Sequence, residues 1–551
     1  MKFVKILLVL LGLTPAFAQA QLMTTKQKYT RADTLRGMLT PLRTCYDINY
    51  YHLDVKFDIA KKYISGSNQF KFTATEDFNK LQFDLFDNLK VEKVVYKGTE
   101  VPFTREFNAV FVTFPQTIKK GAKDEFTVYY SGNPITAKNA PWDGGVVYTT
   151  DSLGRPFVAT ACQGLGASVW WPNKDHQADE VDSMLISISV PKGLTNVSNG
   201  RLRKTTDLKD GYTKFDWFLG SPINNYGVAV NIGNYAHLTD SYAGEKGKLS
   251  IDYWVLNYNA VKAKKQFDAN VKPMLKAFEH WFGPYPWYED GYKLVETPFL
   301  GMEHQSAVAY GNAYGNGYLG QDLSGTGWGL KWDYIVVHES GHEWFGNNIT
   351  SKDIADMWIH ESFTDYSESL FIEQQYGKQA GLEYNFGLRK GIDNDAPIVG
   401  PYNVNKEGSG DMYPKGSVLL SMIRTIINND AKWRDILRGL NQTFGRKTVT
   451  YEDITGYIAK QSGINLLPVF DQYLHYKSLP ILNIESINGK LYCRWIADAQ
   501  GFTIPVKIRV KGGEWKFVSP TARLKPLEVA GLTKDNIEVD TFNYYIGTLI
   551  E

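Results

Sequence analysis

The chain has 551 residues, too many for one hydrophobic core, so roughly three or four domains are expected. Its 60 basic and 59 acidic residues leave a formal net charge of +1, which removes the electrostatic case for nucleic-acid binding or for a basic membrane patch. Three widely spaced cysteines, Cys45, Cys162 and Cys493, allow at most one disulfide and have no thiolate–metal spacing, so each is expected to be a small buried hydrophobe.

The first residues have the pattern of a targeting segment. Lys2 and Lys5 supply the charged region, residues 6–13 are an apolar run, and Ala16-Phe17-Ala18 and Ala18-Gln19-Ala20 are both A-x-A cleavage sites. The run is too short to span a bilayer, which takes about 20 apolar residues, and no other stretch is long and apolar enough. Residues 1–20 are therefore expected to be a signal peptide, and the mature protein to be soluble and either periplasmic or secreted.

Residues 21–256 are expected to form an all-β domain of saddle or sandwich type. Segments 50–58, 125–130, 184–191 and 249–255 alternate apolar and polar residues, and turn clusters at 131–134 and 196–200 separate them. The aromatic content of 14% suits such a β-rich module. Near residue 257 the period changes to helical. A helix is expected over 262–282, broken at Gly283-Pro284, followed by a short β-like stretch at 292–296 and a Gly-rich segment at 310–329. Further helices are expected at 332–346, 356–376, 415–429, 450–462 and 467–475. Residues 257–478 then form a mainly helical domain with a small sheet. Alternation returns at 491–495, 506–510 and 515–518, so residues 479–551 are expected to be a small β-sandwich. The fold class is multidomain α+β.

The chemistry concentrates on the H-E-x-x-H stretch His338-Glu339-Ser340-Gly341-His342. On a helix, residues four apart share one face, so both imidazoles reach one metal ion while Glu339 stands beside them to handle a water. Gly341 costs up to about 1 kcal/mol relative to alanine inside a helix, which implies close packing there. A catalytic zinc takes a third protein ligand and keeps a fourth position open. Glu361, Asp365 and Glu368 lie on one stripe of the next helix, crowded by Trp358, Phe363 and Tyr366. One of the three carboxylates would complete the ligand set, and the others would orient the imidazoles.

His342 is followed after eighteen residues by Glu361. That spacing, with Trp344-Phe345-Gly346-Asn347 and Trp358 nearby, resembles the gluzincin aminopeptidases of the aminopeptidase N and leukotriene hydrolase type. Other segments fit too: Gly301-Met302-Glu303-His304 is similar to the family's G-x-M-E-N motif, and Ala161-Cys162-Gln163 with Trp171-Pro172 to the segment preceding it. Tyr413-Pro414-Lys415-Gly416-Ser417 is similar to Y-x-K-G-A. The resemblance implies a thermolysin-like catalytic domain with one zinc ion on His338, His342 and Glu361. It implies Glu339 as general base and Tyr413 as oxyanion donor, with Glu303 and Gln163 reading the substrate amino group. The backbone of Gly301 and Met302 would run beside the bound peptide, and Glu368 and Asp365 would support the ligands. The implied substrates are peptides with a free N-terminus.

Three positions depart from the family pattern. His304 and His360 replace asparagines, and Glu343 stands where glutamine is common. Both histidines are expected outside the metal shell, hydrogen-bonding locally as asparagines would; alternatively, one titrates near neutrality and adds an acidic limb to the activity. Only the small β module follows residue 478, where the family has a large helical domain. A thermolysin-like zinc endopeptidase would share the helix and ligands, but Glu303 and Gln163 argue against it. A catalytically silent binding protein on the same scaffold is disfavoured by the intact ligands, base and tyrosine.

Overall fold

The computed structural model describes residues 28–551, so the expected signal peptide lies outside the described residues. A short helix, α1 (Arg31–Gly37), comes first, held at its start by a reciprocal Thr30–Asp33 capping box. The long strand β1 (Tyr46–Asp58) then organises an eight-stranded sheet, pairing antiparallel with Tyr63–Ala74 and parallel with Ser183–Pro191. Its side chains alternate, but a bulge between Ile48 and Tyr50 shifts the phase by one residue. Tyr51, Leu53, Val55 and Phe57 therefore face inward after the bulge, as Tyr46 and Ile48 do before it. The three-stranded sheet of Phe78–Asp84, Phe103–Glu106 and Ala109–Ile118 contributes to the same core, with Trp170 and Trp171. In a separate four-stranded sheet, β2 (Pro156–Ala161) is buried from Phe157 onward and delivers the chain to Gln163.

The next sheet crosses the change of sequence character near residue 257. Strands Tyr235–Gly244 and Gly247–Leu256 continue it into β3 (Tyr292–Glu296), β5 (Val308–Tyr310) and, at the edge, β4 (Gly301–Met302). Packing is therefore continuous across residue 256. Helix α2 (Ala260–Phe282) presents Phe267, Val271, Met274, Phe278 and Phe282 at helical spacing, and the Phe267 ring meets Tyr253 of the sheet at 4.9 Å. Burying each such side chain contributes about 1.5–3 kcal/mol.

Among the described residues the longer helices that follow are α3 (Tyr334–Gly341), α4 (Trp358–Tyr376), α5 (Lys378–Leu388), α6 (Pro414–Ile427), α7 (Asp430–Phe444), α8 (Tyr451–Ser462) and α9 (Leu467–His475). Two were not expected. α7 was legible, because Asn429 caps it and Trp433, Ile436, Leu437 and Leu440 repeat at helical spacing. α5 carries Gly381 and Gly387, which mask it; Gly381 is there because a Cβ would stand 2.6 Å from the Ser369 carbonyl oxygen. The helix expected to run to Gly346 ends earlier. Phe345 and Gly346 leave helical geometry, with Gly346 at φ +126°. The small C-terminal module has a four-stranded and a three-stranded sheet, and Arg389 ties it down by donating to the carbonyls of Thr541 and Phe542 at 2.6 and 2.9 Å. Among the described residues no helix is long and apolar enough to cross a membrane.

A buried ion pair fastens the N-terminal segment to the β region. Arg43, wholly buried, donates to Asp84, whose carboxyl is raised by burial despite the guanidinium beside it. Arg43→Ala leaves that carboxylate uncompensated and is expected to lower stability by about 3–5 kcal/mol. The Arg43→Ala/Asp84→Ala double variant should recover part of the loss. Thermal midpoints of the three proteins check this, and a midpoint unchanged in Arg43→Ala would refute it.

Candidate active site

The zinc-motif helix α3 is capped by Asp333, whose carboxylate accepts from Val336 N at 3.4 Å and from Tyr310 Oη at 2.7 Å. Every residue of α3 is buried. Gly341 explains how α4 packs so close: a Cβ there would lie 2.7 Å from Ser367 Oγ and 3.1 Å from Thr364 Cγ2. The two imidazoles are oriented through their Nδ1 atoms. His338 Nδ1 is 2.6 Å from Glu368 Oε1 and 3.1 Å from Tyr334 Oη. His342 Nδ1 is 3.0 Å from the Phe345 carbonyl and 3.1 Å from Thr364 Oγ1. Donation from Nδ1 leaves each Nε2 with a free lone pair directed into the cavity.

Glu361, in the first turn of α4, meets those lone pairs. Its Oε2 lies 3.4 Å from His342 Nε2 and 3.8 Å from His338 Nε2, buried and without a hydrogen-bond partner. Ligand atoms about 2.0–2.2 Å from a tetrahedral zinc stand roughly 3.3–3.6 Å apart, so the three atoms fit one zinc ion. The charges fit as well. Burial opposes charging an imidazole, yet Glu361 and Glu303 still raise His342 to about 9. The site draws positive charge to itself.

The carboxylates left open by spacing now separate. Glu368 supports His338 and is itself held by Tyr384 Oη at 2.6 Å. Asp365 lines the cavity with a carboxylate oxygen within 4.8 Å of His338 and Glu368, while Thr364 and the Phe345 carbonyl orient His342. Burial and the neighbouring Glu368 raise the Asp365 carboxyl well above its ordinary range. Tyr334, Thr364 and Tyr384 were missed in the sequence. Tyr334 and Thr364 stand on the same two helices as the ligands, which was a usable signal. Tyr384 sits on the helix hidden by its glycines.

Glu339 faces the cavity, its carboxyl raised by burial. Across it lies edge strand β4, where Gly301 is required: a Cβ would stand 2.6 Å from Glu339 Oε1 and 2.9 Å from Ile335 Cγ2. Met302 follows, paired with Ala309, and Glu303 is buried beyond it. Gln163 joins the two halves of the site. Its Nε2 donates to Glu303 Oε1 at 2.6 Å and to Glu361 Oε1 at 3.0 Å. Tyr413, the residue before α6, forms another wall, its ring centroid 6.2 Å from that of His338. All these residues line one cavity of about 590 Å³.

The variant histidines are not switches. His360 does hydrogen-bond locally, Nε2 accepting from Ser351 N at 2.8 Å. His304 does not: neither ring nitrogen has a partner. Burial lowers both to about 3, a direction that runs against an added acidic limb from either ring. Glu343 turns away from the ligands and accepts from Ser306 N at 2.8 Å.

Comparison with known proteins places this geometry. The Peptidase M1 N-terminal domain matches residues 47–223 and the Peptidase family M1 domain matches residues 267–473. The chain belongs to peptidase family M1. The cofactor of an M1 site of this kind is a single catalytic zinc ion. Aminopeptidase B of Homo sapiens is 23% identical over 408 residues, covering 69% of this chain and 58% of its own length. The leucyl aminopeptidase of Saccharolobus solfataricus is 21% identical over 418 residues, covering 73% of this chain and 50% of its own. The chain thus spans between half and three fifths of the length of these curated relatives. The M1 zinc metallopeptidase of Deinococcus radiodurans shares the fold, with a TM-score of 0.65 at 19% identity, covering 79% of this chain and 94% of that one.

Gly301→Ala in this M1 chain is expected to displace the Glu339 carboxylate and to lower kcat at least about tenfold, because small misplacements near the reacting atoms are costly. Zinc content, measured by plasma mass spectrometry, should stay at one per chain. In His342→Ala it should fall towards zero. Full kcat in Gly301→Ala would show that the contact does not hold Glu339.

Proposed function

We propose that the chain is an exported zinc metallo-aminopeptidase that removes the first residue from peptides with a free amino end. One observation carries this reading: the Gln163 amide links Glu303 to Glu361, at 2.6 and 3.0 Å. An acceptor group for an ammonium therefore stands one residue's reach from the metal ligands. A cleft closed there admits the first peptide bond and no later one. The aminopeptidase names of the curated relatives support the same reading.

In this proposal His338, His342 and Glu361 would hold the zinc. When bound, the ion supplies a Lewis acid that polarises a carbonyl and acidifies water. Glu339 takes the proton of the attacking water and returns it to the leaving amine; a carboxyl raised by burial suits both transfers. Burial and the Glu361 charge keep the Tyr413 hydroxyl protonated, so it can donate to the oxyanion that develops on the scissile carbonyl. The Glu303 carboxylate pairs with the substrate ammonium, a charge-assisted contact. The free edge of β4 offers backbone hydrogen bonds to the extended peptide. Residues 21–256, 257–478 and 479–551 act as its domains, the first two sharing the five-stranded sheet. Residues 1–20 direct export, with a periplasmic or secreted destination.

A panel of amino-acid anilides tests the activity. Hydrolysis should need zinc, stop with chelator and spare N-acetylated substrates; equal turnover of acetylated peptides would make the enzyme an endopeptidase instead. Glu339→Gln should keep its zinc and lose about 100- to 10,000-fold in kcat. Tyr413→Phe should lower kcat with little change in KM.

A further inference from the structure

Gln163 carries the proposed reading of the amino end, yet it sits on an exposed turn beyond the end of β2. The turn is closed by Gly166 N donating to the Cys162 carbonyl at 2.7 Å, and it passes through Gly164 at φ +71°. From outside, two donors meet on the Gly164 carbonyl: Arg36 Nη2 at 3.0 Å and Asn405 Nδ2 at 3.1 Å. They come from different parts of the chain. Arg36 is in the last turn of α1, and its own carbonyl accepts from the buried Arg43 at 2.5 Å. Asn405, left-handed at φ +51°, belongs to a loop on the catalytic side. That loop is anchored just ahead of α4: Asn403 N donates to Asp353 Oδ2 at 3.0 Å and Tyr402 Oη to Asp356 Oδ1 at 2.9 Å. The two donor segments also touch each other. Gly37, at the end of α1, packs so closely that a Cβ there would lie 2.3 Å from Asn405 N.

The geometry points to α1 as a clasp for the amino-end anchor: Arg36 and Asn405, through the Gly164 carbonyl, are positioning residues that set Gln163 against Glu303 and Glu361. This inference rests on the aminopeptidase reading. It goes beyond that reading because α1 lies upstream of residue 47, where the match to the M1 N-terminal domain begins. The physical argument is local. The turn is closed within itself only by short-range backbone bonds, Gly166 N to the Cys162 carbonyl and Leu165 N to the Gln163 carbonyl, while Gln163 must place a side-chain amide within hydrogen-bond range of two carboxylates at once. Pinning the next carbonyl from both sides removes the alternatives. Neither Arg36 nor Asn405 lines the cavity, whereas the turn they hold does, through Gln163 and Gly164, so the double-mutant cycle decides whether their effect passes through Gln163. Loss of an amine contact made equally in the ground and transition states raises KM and leaves kcat.

The test is a double-mutant cycle in the full chain, read with a free amino-acid anilide. Arg36→Ala should raise KM at least about fivefold with kcat within about twofold, and Asn405→Ala should shift KM in the same direction. In a Gln163→Ala background, either substitution should add less than about twofold, since the group being positioned is gone. Arg36→Lys, which keeps a donor, should recover part of the KM. Equal factors with and without the Gln163→Ala substitution, or an unchanged KM in both single variants, would overturn the clasp. If Arg36→Ala does not fold, the Asn405→Ala cycle alone decides. An inactive wild type sinks the aminopeptidase reading, whereas an active wild type with independent effects sinks the clasp only.

Discussion

The molecule is built around a concentration of buried negative charge. Glu303, Glu339, Glu361, Asp365 and Glu368 are each at most 8% exposed and crowd about two imidazoles. Isolated ionised carboxylates in such surroundings are expensive, and burial accordingly raises Glu303, Glu339 and Asp365. In the proposed reading two cations would relieve the cost: a divalent metal between His338, His342 and Glu361, and a substrate ammonium at Glu303. The scaffold tolerates the strain because the site's walls come from several elements. α3 and α4 press together across Gly341, β4 closes on Glu339 across Gly301, and β2 brings Gln163 in from the N-terminal β region.

Much of this was legible in the chain. The H-E-x-x-H spacing needs only one helical turn, and α3 supplies it. The alternation in residues 50–58 needs only one strand, and β1 supplies that. What escaped depended on tertiary packing. Glu361, Asp365 and Glu368 share one stripe, and periodicity cannot say which one turns its oxygen to the metal. That choice follows from where α4 crosses α3, which Gly341 and Ser367 decide at close contact. The early end of α3 escaped because Gly346 reads as an ordinary helix stop, whereas the α-helix ends at Gly341 and the following turn leaves helical geometry at Phe345. α5 escaped because its glycines serve its neighbours. Gly381 makes room for the Ser369 carbonyl and Gly387 for that of Ser324.

His304 and His360 show how burial overrules residue type. By composition they are the groups with pKa values nearest neutrality, and they stand beside charged residues. Fully enclosed, both lose the capacity to charge. His360 still acts as the asparagine it replaces would, by accepting one backbone hydrogen bond. His304 fills space.

The Gln163 amide couples the two charged halves of the site. Its N–H groups satisfy one oxygen on Glu303 and one on Glu361. In the proposed reading an arriving ammonium adds charged donors at Glu303 beside that amide, and charge-assisted hydrogen bonds are roughly twice as strong as neutral ones. In that reading a peptide with a blocked amino end offers no such charged donor to the Glu303 carboxylate. In that reading, selection for the free terminus would follow from satisfying buried carboxylates, the same requirement that would be met at the metal site.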